Sequence, residues 1–286
     1  MPPLIQQCDY HMHSTASDGV LSPAALMALA AERGLQELAL TDHDTFDGLD
    51  EASAAAAEQG IKLLPGMEFS CVWLGVTIHL VALWPRGLNE AARELADIQR
   101  KARWSRATRI IEKLQRAGVA LALDAVTVYS AGGVPGRPHF AEAMVQAGYV
   151  TDHSQAFRKW LGAGKLGDIK SQWLELADAI ARLRAAGAFV VLAHPQHYKL
   201  TRSKRRRLVM AFAAAGGQGL EVVSGQQDPQ QTASLVSLAQ ELGLQASWGS
   251  DFHGAGPACH APGHYAVLPE VCRPLSEYFH AAGIAT

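Results

Sequence analysis

Short apolar runs alternate with helical segments along most of this chain, and that alternation restricts the fold more than any other feature. After an opening strand that runs into CDYHMHS, the stretch LSPAALMALAAERG (21–34) has Ser22 to cap a helix, Pro23 at its first position and Gly34 to end it. LQELALTDHDT reads as a buried strand entering a polar turn, and DGLDEASAAAAEQG as a second helix closed by Gly60. IKLLPGMEFS and VTIHLVALW read as two more strands. From Leu174 the pattern resumes: a helix to Gly187, the strand AFVVLAH, a helix over 203–215 and the strand GLEVVS. A helix over 229–242, the strand LQASWGSDFH and a closing helix in PLSEYFHAAGI follow. Such β-α-β-α order argues for a parallel sheet or barrel with helices outside.

One stretch breaks the rhythm. Residues 89–172 open with the long helical segment NEAARELADIQRKARWSRATRIIEKLQRAG and contain no convincing buried strand. About seven strands, four before this stretch and three after it, predict an α/β fold, a distorted TIM-like (β/α)7 barrel of parallel strands. The expected division is a barrel from 1–88 and 173–286, with 89–172 as a helical insertion. An open doubly wound sheet is the competing architecture. The glycine-rich places (Gly132, Gly133, Gly136; Gly216, Gly217, Gly219) lack the strand–G-x-G-x-x-G–helix setting of a nucleotide fold.

The formal charge of −2 hides an asymmetry. Between residues 100 and 170 there are twelve Lys/Arg against five Asp/Glu, a local excess of +7 in an acidic remainder. A basic segment of this kind suits an anionic ligand. No apolar run is long enough to span a membrane, and the first residues lack a charged and apolar leader. Cys8, Cys71, Cys259 and Cys272 are scattered without C-x-x-C spacing, so they read as buried thiols in a reducing compartment. A cytoplasmic protein with no membrane partner and no obligate protein partner is the expectation.

The chemistry lies where the strands end. His11 and His13, at i and i+2, share one face of an extended strand, and Asp18 follows in the turn. The second strand ends in TDHD (Asp42, His43, Asp44), and the third carries Glu68 in GMEFS. The fourth holds His79 inside VTIHLVAL, the strand after the insertion ends at His194, and the last ends at Asp251 and His253. The C-terminal ends of barrel strands open on one face, so these groups should converge. Imidazoles and carboxylates without a thiolate suit more than one zinc, manganese or iron ion.

The ordered motifs H-x-H with a downstream Asp, TDHD, an isolated Glu, the strand histidine, AHP and SDFH resemble those of the PHP (polymerase and histidinol phosphatase) family over nearly the whole chain. The basic stretch with GRPHFA, AFRKWLG and GK, and the later AAGGQGLEV, is similar to one branch. That branch holds 3′,5′-nucleoside bisphosphate phosphatases and RNase AM-type 5′-to-3′ exoribonucleases. The resemblance implies a trinuclear centre of divalent ions, manganese first, with zinc, iron or magnesium as alternatives. It places His11, His13, Glu68 and Asp251 on one ion, Glu68, His79 and His194 on a second, and Asp18, His43 and His253 on a third. It departs from the branch at Glu142 and Ala143, in GKLGDIK, and at Gln196 and His197 after AHP.

The expected reaction is hydrolysis of nucleotide phosphate esters by a metal-bridging hydroxide held at the Glu68 and His194 site, without a covalent intermediate. The expected substrates are 3′,5′-bisphosphates such as pAp, which would yield AMP and phosphate, and 5′-phosphorylated short RNA. Asp44 is a candidate to protonate the leaving group or to orient substrate. Arg103 and Arg106 on the long helix, with Arg137 and His139 from the Gly/Pro-flanked loop, are candidates for holding a second phosphate. Trp104, Trp160 and Trp173 are candidates to stack on a base. Two alternatives stand beside this reading: a histidinol-phosphate-type phosphatase of small metabolites, and a non-catalytic RNA- or metal-binding module.

Overall fold

The computed structural model of the protein describes residues 7–170, 173–256 and 261–284; Cys259 and the expected junction at Gln172 lie outside them. The first part of the chain runs β1 (Cys8–Asp9), α1 (Pro23–Glu32), β2 (Glu37–Leu40), α2 (Leu49–Glu58), β3 (Lys62–Trp73) and β4 (Val76–Leu83). A helical stretch follows: α3 (Glu90–Arg116), α4 (Leu123–Thr127), α5 (Arg137–Gln146) and α6 (His153–Ala156), the last running into a π-type turn over 157–161. The chain then returns through β5 (Leu174–Glu175), α7 (Leu176–Ala185), β6 (Phe189–Leu192), α8 (Arg202–Ala214), β7 (Gly219–Ser224), α9 (Pro229–Glu241), β8 (Gln245–Gly249) and α10 (Leu275–Ala281). The punctuation works as its chemistry predicts: Ser22 accepts from the Ala25 amide at 3.2 Å, with Pro23 beginning α1. No helix among the described residues is long and apolar enough to cross a membrane.

Seven strands follow one another around the sheet in the order β1-β2-β3-β4-β6-β7-β8, while the two-residue β5 pairs with β3. The ends meet. Tyr10 N donates to Trp248 O at 3.3 Å, Asp251 N to His11 O at 2.9 Å, and His13 N to Phe252 O at 2.9 Å. These bonds make a nearly closed barrel and exclude the open doubly wound sheet.

The expectation of uniformly parallel strands is corrected at one strand. β4 runs antiparallel to both β3 and β6. The reason is the connection: only Leu74 and Gly75 separate β3 from β4, both left-handed at φ 47° and 73°. A two-residue turn of that hand makes a hairpin, whereas a parallel return needs a crossover of a dozen or more residues. β4 therefore begins where its neighbours end. His79 reaches the common rim from within a strand, paired in register with Ser70, and Glu68 also lies inside β3. The expectation that the third strand ends at Glu68 is corrected, since β3 runs on to Trp73, whereas His79 lies inside its strand as expected.

The barrel core gathers Phe69, Trp84, Phe189, Trp248 and the outer helices, including Ala92, Leu95 and Ala96 from the first turns of α3. Further along the same helix, Ile110 and Leu114 join a separate apolar cluster with Val126, Phe140, Met144 and Leu161. A fully buried Leu or Ile contributes about 1.5–3 kcal/mol. Each half of α3 is thus anchored in a different core, and the residues between them are held over the barrel mouth.

Closure of the ring leaves no room at Gly249, where an added Cβ would lie 2.3 Å from His11 Cβ and 2.8 Å from its backbone nitrogen. Gly249→Ala should lower stability in urea unfolding by about 1–3 kcal/mol, the usual cost of overpacking, whereas a serine or alanine at an open surface site should not.

Candidate metal centre

The opening strand delivers His11 and His13 side by side, their rings 5.2 Å apart. Asp18 returns toward them because the intervening turn is pinned. Asp42, beyond the end of β2, accepts from Ser14 N and Ser14 Oγ at 2.7 Å and from Ser17 Oγ at 2.6 Å. Gly19 completes the turn, since a Cβ there would sit 2.4 Å from the His13 carbonyl oxygen.

Glu68 stands at the centre. Its carboxylate lies 2.7 Å from His194 Nε2, 2.8 Å from His43 Nδ1, 3.0 Å from His79 Nδ1 and 3.4 Å from the Nε2 atoms of His11 and His13. Asp251 Oδ1 is 3.5 Å from both His11 Nε2 and His13 Nε2 and 3.6 Å from His253 Nδ1. Asp18 faces His253 at 3.3 Å and His43 at 3.8 Å. All nine residues singled out as ligand candidates therefore lie in one cluster. Their donor atoms form four overlapping groups: His11, His13 and Asp251; His11, Glu68 and His194; His43, Glu68 and His79; and His13, Asp18, His43 and His253. His43 faces two ways here, with Nδ1 on Glu68 and Nε2 toward Asp18, and His13 also approaches the Asp18 group.

The cluster fits divalent cations. His11 Nε2, His13 Nε2, His43 Nδ1, His79 Nδ1 and His194 Nδ1 are buried without a hydrogen-bond partner. Several orphaned imidazole nitrogens in one place are rare in a folded interior unless they have another use. Burial alone would raise the carboxyl pKa values, but surrounding imidazoles outweigh it and hold Glu68, Asp18 and Asp251 well below the ordinary range. Burial, with His253 alongside, pushes His13 down to about 3. The neighbouring carboxylates outweigh burial at His11, His194 and His253 and raise them, so a bound cation would take the place of those protons and leave the ionised carboxylates and neutral imidazoles that ligate metal.

A residue that sequence reasoning missed supports this cluster. Glu221, on β7, bonds His11 Nδ1 at 3.0 Å through Oε1 and accepts the backbone N–H of His194 through Oε2. One carboxylate thus orients two neighbouring candidates, the arrangement that commonly sets a ligating imidazole's tautomer. The signal was present: Glu221 is the single acid in GLEVVS, a fully buried strand. Tyr198 was missed as well; its hydroxyl accepts from His79 N at 2.9 Å and donates to Ala193 O at 3.1 Å. Asp44, His194 and Asp251 have left-handed backbones (φ 57°, 27° and 53°), a strain typical of functional sites.

Beside the cluster, Arg103, Arg106 and Arg137 line a cavity of about 110 Å³ with Trp173 and Phe157, and Asp18, His43 and His79 form its shared wall. The Arg103 and Arg106 guanidiniums lie 5.9 and 5.5 Å from the Trp173 ring centre. Burial and the neighbouring Arg137 and Arg103 lower the Arg106 pKa to about 9, and its Nε has no partner. His139 is buried at the start of α5, its Nδ1 accepting from Gly136 N at 2.9 Å, and it does not line this cavity. Neither do Trp104, exposed on α3, and Trp160, packed against the inserted core. Arg100 pairs with Asp47 at the surface, 2.6 Å apart.

Asp44 has no oxygen to spare for proton donation. Oδ1 accepts from Ser70 N and Gln99 Nε2 at 2.6 Å, while Oδ2 accepts from Ser70 Oγ at 2.7 Å and Arg103 Nε at 2.6 Å. Although burial opposes it, Arg103 and these bonds depress the Asp44 pKa. The leaving-group acid anticipated at Asp44 is replaced by an ionised anchor for Arg103. Gln99, one helical turn before Arg103, was the unread signal.

The sequence matches the family model for the PHP domain over residues 9–83. A 5′-3′ exoribonuclease of Haemophilus influenzae is 41% identical, covering 87% of this chain and 91% of that one. A 3′,5′-nucleoside bisphosphate phosphatase of Chromobacterium violaceum is 41% identical, covering 93% and 94%. The solved structure of an amidohydrolase from Chromobacterium violaceum, with bound sulfate and no metal, superposes with a TM-score of 0.85 at 40% identity over 96% of both chains. The chain belongs to the PHP family, in the branch that contains these nucleoside bisphosphate phosphatases and 5′-3′ exoribonucleases.

Proposed function

We propose that the protein is a divalent-metal-dependent phosphoesterase that removes the 3′-phosphate of 3′,5′-nucleoside bisphosphates and trims 5′-phosphorylated RNA from its 5′ end. The observation that carries this reading is the adjacency of two different anion sites. Two buried guanidiniums, of Arg103 and Arg106, and the half-buried Arg137 face a cavity whose other wall is the His/Asp/Glu cluster. Asp44 is already bonded to Arg103, and Arg106 keeps a free Nε in a setting that disfavours its charge. A second phosphate supplies the missing counter-charge with bidentate geometry. The names of the relatives agree with this, since one acts on a nucleoside bisphosphate and the other is a 5′-3′ exoribonuclease.

We assign His11, His13, Asp18, His43, Glu68, His79, His194, Asp251 and His253 to a trinuclear centre of manganese type, with Glu68 shared between ions. Divalent ions in such a site acidify water and neutralise the oxygens of the phosphoryl group being displaced. The chain's own residues do the rest. Arg103, Arg106 and Arg137 hold the 5′-phosphate, and the Asp44–Gln99–Ser70 network fixes Arg103 in position. Trp173 backs two of the guanidiniums, and helices 89–172 act as a cap over the barrel formed by 1–88 and 173–286. His139 holds the start of the α5 loop, through Gly136, rather than touching substrate.

Both substrates break at the same bond, O3′–P. Water supplies the oxygen that joins phosphorus and the proton that joins O3′. From pAp the phosphoryl group leaves as inorganic phosphate; from RNA it remains on the shortened strand as a new 5′-phosphate. A small-metabolite monoesterase has no use for three arginines gathered beside its metal site.

Manganese-loaded protein should convert pAp to AMP and phosphate faster than it releases phosphate from histidinol phosphate, measured side by side. The opposite preference, or inertness toward both pAp and 5′-phosphorylated oligoribonucleotides, would sink the nucleotide reading. Arg106→Ala should raise KM for pAp by about tenfold or more, the loss of about 1.4–3 kcal/mol for a charge-assisted contact, with much less effect on a substrate bearing one phosphate. Chelator-stripped protein should gain about 3 kcal/mol of unfolding free energy when a divalent ion is restored at about a hundredfold its Kd. Glu221→Ala should lower bound metal per chain, read by elemental analysis, by loosening His11 and His194; Glu221→Gln, which keeps an acceptor, should lower it less.

A further inference from the structure

Residues 196–207, QHYKLTRSKRRR, lead from His194 into α8 and carry Lys199, Arg202, Lys204, Arg205, Arg206 and Arg207 without one acidic residue. Five of these cations fall in the first two turns of α8, and no acid accompanies them in the first turn. Cations are disfavoured there, because the helix dipole is positive at that end and like charges i and i+3 or i+4 repel. Arg206 pairs with Glu241 of α9. Arg202, Lys204 and Arg207 are exposed and form no ion pair among the described residues. The stability of α8 therefore gives no account of the run.

Its location does. Arg205 Nε donates to the carbonyl of Pro195 at 3.0 Å, and Pro195 directly follows His194. In the same loop the exposed His197 stacks on His194, ring centres 5.2 Å apart, and its Nδ1 lies 4.0 Å from Asp251. Beyond it a groove of about 600 Å³ opens between α8 and α9, with Gln196, Arg202, Arg205 and Arg206 in its lining. The arginine cavity approaches the metal centre from the side of β2, β3 and β4, through Asp44, Ser70 and His79. The α8 groove lies between the helices that follow β6 and β7, and Gln196 and Arg205 bring its near end to the loop that carries His194. The two basic surfaces thus lie on different sides of the ligand cluster.

We propose that the N-terminal face of α8 and its groove hold the sugar-phosphate backbone of RNA on the 3′ side of the scissile bond. This rests on the function proposed above. With its 5′-phosphate in the arginine cavity and its first internucleotide phosphate at the metal centre, a strand continues away from the cavity, toward His197, Lys199 and α8. A mononucleotide bisphosphate ends before that point and does not touch α8. The surface therefore separates the two substrates: pAp uses the cavity and the metals, whereas RNA also uses α8.

The test compares wild type with Arg202→Ala/Lys204→Ala/Arg207→Ala, which changes exposed side chains without ion pairs. Binding of a fluorescent 5′-phosphorylated oligoribonucleotide is measured in chelator by anisotropy across a salt series, and turnover of the oligonucleotide and of pAp is measured with manganese. The triple variant should lose about tenfold or more in oligonucleotide affinity and kcat/KM, and its log K against log salt slope should shrink by about 2. Its pAp kinetics should stay within about twofold of wild type, and Arg202→Lys/Arg207→Lys should retain RNA binding. Unchanged RNA binding and trimming overturn the proposal, as does an equal loss for pAp. Loss of binding to phosphatidylglycerol vesicles with RNA unaffected would reassign the patch to a membrane surface and also overturn it. Wild type that hydrolyses pAp but neither binds nor trims RNA overturns the α8 proposal alone; wild type inert toward both overturns the function as well.

Discussion

Glu68 surrounded by five imidazoles is the interaction on which the rest of the structure depends. A buried carboxylate is costly unless compensated, and here His11, His13, His43, His79 and His194 approach it from four separate segments. One ring nitrogen of each is left without a hydrogen-bond partner, the condition a site for divalent cations would create. The barrel is what makes this crowding possible. It brings β1, β2, β4 and β6 around β3, and the β8–β1 contact adds Asp251 and His253. A fold that left any of these segments a few ångströms away would leave charged and polar groups buried with nothing to answer them.

The second dependence runs through α3. Its N-terminal half is packed into the barrel core and its C-terminal half into the inserted helices. Gln99 and Arg103, near the crossing point, bond the same Asp44 that Ser70 of β3 also engages. The helical stretch and the barrel are therefore linked by one buried carboxylate, adjacent in sequence to His43. Arg103 and the histidines of the cluster are thereby held to a common frame. Displacing a catalytic geometry by about an ångström can cost a hundredfold in rate.

Much of this was legible before any tertiary structure. The alternation of apolar runs with capped helices set out the barrel, and its interruption at residue 89 marked the helical stretch. The candidate ligands could be read because each stands next to a buried run, where an unpaired His or Asp needs a reason. The antiparallel course of β4 was present in its two-residue connection to β3, although the expectation of uniform parallel strands passed over it. Of the two roles open to Asp44, its bonds favour orientation over proton donation, and the sequence did not show this because Ser70, Gln99 and Arg103 are 26 or more residues away. The bond from the Gly136 amide to His139 Nδ1, which fixes the turn into α5, was not legible in the motif.

The chain by itself determined which residues can carry the chemistry and how the strands follow one another, since period, caps and turn lengths are local properties of the backbone. Tertiary structure alone decided which nitrogen meets which oxygen. His43 facing Glu68 with one nitrogen and Asp18 with the other, and Glu221 reaching both His11 and His194, depend on ring closure between β8 and β1 and on the register of β7. Those are relations between segments as many as 210 residues apart. Their geometry is set by packing the whole barrel at once, and no local pattern encodes it.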